Sequence, residues 1–141
     1  MKLSAKTEYA CIAVLELARR FDTGEPVRIR EIADEHGIPA RFLVQILLQL
    51  KGAGFVASTR GASGGYQLLK PPGKITLGEV MRVIEGGDNG QSTPAARSPT
   101  AVVLSRTWHD IAAREQEMLG AITFADLAEK AKETEQQMYY I

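Results

Sequence analysis

The clearest structural signal in the sequence lies in residues 40–70, ARFLVQILLQLKGAGFVASTRGASGGYQLLK. Apolar residues recur at helical spacing in its first half, and Gly52 and Gly54 end that pattern. FVAST and YQLLK are rich in β-branched and aromatic residues, which is typical of short strands, and RGASGG between them predicts a hairpin. The stretch therefore predicts one amphipathic helix followed directly by a glycine-rich hairpin.

The helix in this stretch has two different faces. Pro39 favours its first turn, where the missing N–H would be unpaired in any case. We expect the apolar face to be buried and the polar face, at spacing i, i+4, i+8, to be free. The residues predicted to be buried are Phe42, Leu43, Ile46, Leu47 and Leu50, and the polar ones are Arg41, Gln45 and Gln49.

Two further helices are predicted upstream. SAKTEYACIAVLELARRF (residues 4–21) has apolar residues at helical spacing, and its first serine is placed to cap the helix. Val27 and Ile29 predict a brief strand-like piece, and REIADEHG (residues 30–37) predicts a two-turn helix closed by its glycine. The predicted elements follow the order of a winged helix-turn-helix: helix, short strand, helix, turn, helix and hairpin. The predicted fold is therefore mainly α with a small β-hairpin.

Three more helices and one loop are predicted after the hairpin. TLGEVMRVIEGG opens with Thr76 and Glu79 at the spacing of a capping box. Residues 86–99 are turn formers and small residues, so we expect a mobile loop there. TAVVLSRTWHDIAAREQEML (residues 100–119) predicts a long helix with an apolar stripe, and a last helix follows it.

The length of 141 residues leaves room for one core with a small addition. We expect a winged helix-turn-helix domain at residues 1–75 and a helical region at residues 76–141. The chain has no apolar run long enough to cross a membrane, and its start lacks the pattern of a signal peptide. We therefore expect a cytoplasmic protein that does not bind membranes.

The charges are unevenly spread although the formal net charge is zero. Residues 1–74 hold eleven Lys and Arg against seven Asp and Glu, whereas residues 75–141 hold six against ten. No acidic residue occurs between Glu35 and Glu79, and five basic residues fall in that interval: Arg41, Lys51, Arg60, Lys70 and Lys74. A surface without carboxylates is what contact with phosphates requires. The alternative is a chance fluctuation on a solvated face.

The polar helix face and the hairpin supply candidate contacts to double-stranded DNA. At the start of the helix, Arg can pair with guanine and Gln with adenine. In the hairpin, the arginine is a candidate minor-groove or phosphate contact, while the serine hydroxyl and glycine amides can bind phosphate. The candidates are Arg41, Phe42 and Gln45 in the helix and Arg60, Gly61, Ser63 and Gly64 in the hairpin.

A second group of candidates lies at the start of the first helix. The free amides and the dipole of a helix N-terminus favour a phosphate, which makes Lys2, Ser4 and Lys6 candidate backbone contacts. Two alternatives stay open: Ser4 could simply cap its helix, and Phe42 could be a core residue rather than a base contact.

The hairpin also contains a G-x-S-x-G pattern centred on Ser63, with Asp88 and His109 following in the chain order of a hydrolase triad. A nucleophile elbow needs a strand before the serine and a helix after it. YQLLK after Ser63 predicts a strand instead, and the chain is too short for a large parallel sheet. The sequence therefore favours a protein that is not an enzyme.

Four parts of the chain together resemble the Rrf-type family of bacterial transcription regulators: MKLSAKTEYACIAVLELA, IREIADEHGIPARFLVQILLQLKGAGFV, STRGASGGYQLLKPPGKITLGEVMRVIEG and ITFADL. The resemblance implies a homodimer formed through the long helix, bound to a palindromic operator. The residues of the apolar stripe that it assigns to dimerisation are Val103, Leu104, Trp108, Ile111 and Met118.

The chain departs from the cluster-binding members of that family, which carry three cysteines in the loop before the long helix. That loop has no cysteine here, and Cys11 is the chain's one cysteine, expected to be a small buried hydrophobic residue. We expect no cofactor, and no metal at Glu8 or His109. The expected signal is a small molecule or a partner protein. The alternative function is a winged-helix interaction module that does not bind DNA.

Overall fold

The computed structural model describes residues 1–86 and 98–139, so most of the loop predicted at residues 86–99 lies outside the described part of the chain. The elements are helices α1 (Ala5–Arg19), α2 (Ile29–His36), α3 (Ala40–Gly52), α4 (Leu77–Glu85), α5 (Pro99–Ala121) and α6 (Phe124–Tyr139), with strands β1 (Val56–Thr59) and β2 (Gly65–Leu68) between α3 and α4. Short 3₁₀ turns occupy Phe21–Thr23 and Pro72–Lys74. The structure is thus mainly α with one small hairpin, as predicted.

Three helix ends are set by capping residues that can be recognised in the sequence. Ser4 Oγ accepts a hydrogen bond from the amide of Thr7 and so caps α1. Gly37 ends α2 with a left-handed φ of 66°, a conformation that costs glycine little. Thr76 and Glu79 form the reciprocal capping box at the start of α4. These three predicted boundaries are confirmed.

The hairpin is attached to the segment between α1 and α2. β1 and β2 pair antiparallel, with Val56 opposite Leu68 and Thr59 opposite Gly65. Val27 adds one bridge to Tyr66, in which each amide donates to the other residue's carbonyl at 2.8 Å. The strand-like prediction is confirmed at Val27 but wrong at Ile29, which begins α2.

The core lies under α3 and is shared by both halves of the chain. Leu43, Ile46, Leu47 and Leu50 are fully buried, as their spacing predicts. Phe42 is 40% exposed, so its predicted burial is wrong. It lies next to the buried stripe, but the helix turns its side chain outward.

The same buried cluster also includes residues from beyond the hairpin, namely Ile75, Val80, Ile84 and Phe124. Backbone hydrogen bonds join residues 75–77 to residues 122–124, so the end of α5 is tied to the start of α4. α6 then packs against α1. The domain division at residue 75 remains a prediction. None of the helices in the described ranges is long and apolar enough to cross a membrane.

Candidate nucleic-acid interface

One face of α3 exposes polar side chains to solvent. The short turn after Gly37 leads into α3, whose buried side is fixed by the leucine and isoleucine stripe described above. That anchoring leaves Arg41, Gln45 and Gln49 exposed on the opposite side, where the spacing predicts them. A rigid helix with a free polar face beside a hairpin can enter a DNA major groove.

Arg41 and Phe42 form a pair in the first turn of α3. The guanidinium carbon of Arg41 lies 5.1 Å from the centroid of the Phe42 ring, within the range of a cation–π contact. The contact limits the freedom of a long side chain at the end of the helix that would approach DNA first. Sequence spacing alone does not reveal this pair.

Two apolar residues of α3 were missed as candidate contacts. Val44 is 40% exposed and Leu48 is 55% exposed, so both lie outside the buried stripe. Exposed apolar groups on such a helix can contact the methyl group of thymine. The sequence could have indicated this exposure. Val44 follows the buried Leu43 and Leu48 follows the buried Leu47, and the rotation of about 100° per residue in an α-helix turns both side chains away from the core.

The hairpin, which we call the wing (residues 56–68), is built around two glycines that cannot carry a side chain. A Cβ on Gly64 would lie 2.1 Å from the carbonyl oxygen of Thr59, and one on Gly65 would lie 2.5 Å from that of Val27. Arg60 and Ser63 are exposed at the tip between the strands. The wing therefore presents a cation and a hydroxyl on a backbone turn too tight for larger residues.

The predicted phosphate contact of the Gly64 amide requires a correction. Gly64 is buried, and its N–H donates to the carbonyl of Gly61 at 3.0 Å within the turn. A donor already used inside the turn is not free for a phosphate. Gly64 shapes the wing instead, while Gly61 has a left-handed φ of 101° and open space around it.

The wing and α3 are joined at their bases. Lys51 Nζ, in the last turn of α3, donates to Ser58 Oγ of β1 at 2.6 Å. The residues from 36 to 78 contain no acidic side chain, so α3 and the wing form one surface without a carboxylate of their own. Such a surface does not repel phosphates.

The start of α1 uses its polar side chains for structure. Ser4 Oγ donates to the hydroxyl of Thr7 at 2.9 Å, and Thr7, which is buried, donates to Glu85 of α4 at 3.0 Å. The capping alternative for Ser4 is therefore confirmed, and a phosphate contact from its side chain remains a prediction. Lys2 and Lys6 are exposed beside it.

Ser63 does not lie on a nucleophile elbow. It belongs to the turn between two antiparallel strands, and the element that follows it is β2 rather than a helix. The G-x-S-x-G spacing arises here from the glycine requirements of a tight hairpin.

A second exposed surface lies on α5. The stripe predicted from the sequence is exposed along its length, and Trp108 and Met118 are 63% and 69% exposed. Leu119 is the residue of this helix that is buried against the rest of the chain. Contiguous exposed apolar side chains on a soluble protein mark a surface for association. The full set is Val103, Leu104, Trp108, Ile111 and Met118.

An exposed, acid-free α3 with a glycine wing on its flank defines the class of winged helix-turn-helix DNA-binding proteins. Within that class, the chain belongs to the Rrf2 family, described as iron-dependent transcriptional regulators, whose family model matches residues 3–130.

Named relatives agree with this assignment. The chain is 34% identical to the HTH-type transcriptional regulator CymR of Bacillus subtilis over an alignment of 142 positions covering all of both proteins. An rrf2-like HTH-type regulator of Rhodobacter capsulatus is 49% identical over 86 residues, which are 60% of this chain and 57% of that protein. The solved structure of IscR from T. potens superposes with a TM-score of 0.79 at 31% identity, covering 95% of this chain and 90% of that one.

The residues of this chain do not fit an iron–sulfur cluster. Such clusters are held by several thiolates, and Cys11 on α1 is the one cysteine in the sequence. Burial, and to a lesser degree the nearby carboxylates of Glu85 and Glu8, raises the pKa of the Cys11 thiol to about 11. A thiol held protonated is also a poor metal ligand.

Proposed function

We propose that the chain is a sequence-specific transcription regulator that binds a palindromic operator as a homodimer and carries no iron–sulfur cluster. The single observation that carries the proposal is the exposed polar face of α3 beside a wing, neither of which contains an acidic residue. Membership of a family of transcriptional regulators supports it.

In this proposal α3 reads base edges in the major groove. Gln45 pairs with adenine and Arg41 with guanine, and each such bidentate pair contributes about 1–3 kcal/mol of discrimination. Phe42 holds Arg41 and contacts the groove with its exposed edge. Val44 and Leu48 add contacts to thymine methyl groups.

The wing and the start of α1 hold the backbone. Arg60 enters the minor groove or binds a phosphate, Ser63 donates to a phosphate, and Gly61 lets the backbone approach closely. Lys2 and Lys6 contact phosphates near the N-terminus of α1. These contacts set the register on DNA but carry little sequence information.

Dimerisation follows from the stripe on α5. Leu104, Trp108, Ile111 and Met118 are spaced by four, three and seven residues, which is the repeat of two helices packed side by side. In the proposed dimer, which buries this stripe against a second copy, the two α3 helices meet half-sites about one helical turn, or a multiple of it, apart. The five stripe residues named above form this interface.

The signal is proposed to be a small molecule or a partner protein. A cleft of about 610 Å³ between α4 and α5 is lined by both basic and acidic groups, among them Lys2, Arg82, Glu85, His109 and Glu115. A ligand there would alter the position of α5 relative to the DNA-binding part and so change the distance between the two α3 helices.

Selection of bound duplexes from a random pool tests the proposal. A homodimeric reader is expected to enrich a palindrome, whose two halves give the half-site spacing directly. The alternative, an interaction module without DNA binding, predicts no enrichment and no salt-dependent affinity for any duplex, because release of counterions requires phosphate contacts.

A further inference from the structure

A buried carboxylate without a hydrogen-bond donor lies on α1, outside α3 and the wing. Glu16, on the C-terminal half of α1, is 4% exposed. Among the described residues, its Oε2 atom has no hydrogen-bond partner. Burying an ionised carboxylate costs free energy unless it is paired or binds a metal. Glu16 Oε2 is therefore a buried acceptor that no donor satisfies.

Two further ligand atoms face this oxygen from α2. His36 Nε2 lies 3.8 Å from Glu16 Oε2 and 4.0 Å from Glu35 Oε2. One ligand atom from each of the three residues lies within 4.8 Å of the other two. Glu35 and His36 are in the last turn of α2, where the helix dipole also favours a positive charge.

Arg20 lies beside this cluster but leaves it short of positive charge. Its Nη1 donates to Glu31 at 2.7 Å, a contact that is the main cause of the raised pKa of Arg20. Its Nη2 lies 3.7 Å from Glu16 Oε1 and 3.6 Å from Glu35 Oε2, beyond hydrogen-bond distance. Glu16, Glu31 and Glu35 carry three negative charges, and Arg20 carries one positive charge. The net charge of these groups is therefore −2 when the imidazole is neutral, which a divalent cation would balance.

We propose that Glu16, Glu35 and His36 form a binding site for a single divalent first-row transition-metal ion. Imidazole and carboxylate ligands together suit ions such as Zn²⁺, Fe²⁺ and Mn²⁺. Metal–ligand bonds of about 2.0–2.2 Å place ligand atoms roughly 3–4 Å apart, so the observed separations need only a small inward movement. Glu35 and His36 are partly exposed, which leaves the ion a route in and room for water ligands.

The site links two parts of the helix-turn-helix. Glu16 belongs to α1, while His36 is the last residue of α2, directly before Gly37 and the turn into α3. A bound ion would join α1 to the end of α2 by bonds stronger than the 3.8 Å contact between Glu16 and His36 that is present without it. None of the three ligands lies on α3 or in the wing.

Direct titration of the untagged full-length chain, first freed of metal with a chelator, tests the site. Co²⁺ added to the chain is expected to bind with one-to-one stoichiometry and to develop visible d–d absorption without the near-ultraviolet charge-transfer band of a thiolate ligand. Zn²⁺ is expected to displace it and to raise the midpoint of thermal unfolding, because an ion that binds only the folded state stabilises it.

Three variants assign the ligands. His36→Gln and Glu35→Gln are each expected to weaken Co²⁺ binding by at least about tenfold. Both positions are partly exposed, so these variants keep the test open if Glu16→Gln fails to fold. His109→Gln, which removes the chain's other histidine on α5, is the matched control and is expected to bind as the parent does.

The proposal is overturned if the parent chain does not bind Co²⁺ or Zn²⁺ stoichiometrically. Unchanged binding by His36→Gln, loss of binding in His109→Gln, or a thiolate charge-transfer band would each overturn it as well. In the first case His36 and Glu16 form no more than an ion pair when the imidazole is protonated.

Discussion

The guanidinium of Arg41 stacks on the ring of Phe42, 5.1 Å from its centroid, in the first turn of the helix proposed to enter the major groove. A cation–π contact at an exposed site contributes about 0.5–1 kcal/mol. Its main effect here is on geometry, because it restricts the Arg41 side chain, which is proposed to pair with guanine, to fewer rotamers.

Removing the ring is therefore expected to weaken DNA binding without unfolding the protein. Phe42→Ala should reduce operator affinity by roughly three- to tenfold, since the contact and the ordering of Arg41 are both lost. Phe42→Tyr, which keeps an aromatic face, is the matched control and should bind nearly as well as the parent. Fluorescence anisotropy with the selected operator measures both; equal affinity of Phe42→Ala and the parent would show that the pair has no part in binding.

The folded conformation of the wing is expected to require glycine at position 64. Gly64→Ala would place a Cβ against the Thr59 carbonyl and should lower the free energy of unfolding by about 1–3 kcal/mol. Gly52→Ala is the control, because that glycine has open space around it and no left-handed φ. Thermal unfolding followed by circular dichroism compares the two. A Gly64→Ala variant as stable as Gly52→Ala would contradict the geometry of the turn.

The exposed stripe on α5 is expected to hold the dimer together. Trp108→Glu would bury a charge in an apolar interface and should raise the dimer dissociation constant by about thirtyfold or more. Glu117→Lys changes a charge on the opposite side of the same helix and should leave the dimer intact. Sedimentation velocity across a concentration series gives both constants. A Trp108→Glu variant that stays dimeric at the parent's concentrations would place the interface elsewhere.

The Cys11 thiol is expected to react slowly and only at high pH. Its pKa is raised to about 11, so the thiolate, which is the reactive form, remains scarce at neutral pH. The rate of alkylation by iodoacetamide should still be rising between pH 9 and pH 10. Because the unfolded chain loses this proton at lower pH than the folded one, Cys11 should also make stability fall as pH rises from about 9 to about 11. An alkylation rate that levels off below pH 9 would contradict the raised pKa of the half-buried thiol.

Local signals in the sequence predict much of this fold. The caps at Ser4 and Thr76 and the stop at Gly37 are set by short-range hydrogen bonding and φ preference, which act within a few residues. The four buried residues of α3 follow from helical spacing alone. Because one face of α3 is buried, its polar face must point into solvent. The sequence alone could therefore predict that part of the candidate interface.

Other features depend on contacts that the sequence does not encode locally. Phe42 borders the buried stripe, and spacing could not decide on which side its ring lies. The amide of Gly64 is used by the turn itself, which depends on the conformation of Gly61. Glu16 and His36 meet because α2 packs against α1, and no motif joins residues twenty positions apart on different helices.

The central claim is that α3 reads base edges while the start of α1 holds only the backbone. The most direct test measures the affinities of the parent, Gln45→Ala and Lys6→Ala for the selected operator and for duplexes carrying each single-base change. Gln45→Ala is expected to lose affinity unevenly, with preference relaxed at one position in each half-site, whereas Lys6→Ala should weaken all duplexes about equally. If Gln45→Ala kept the parent's affinity and preference at every position, α3 would not be the reading element.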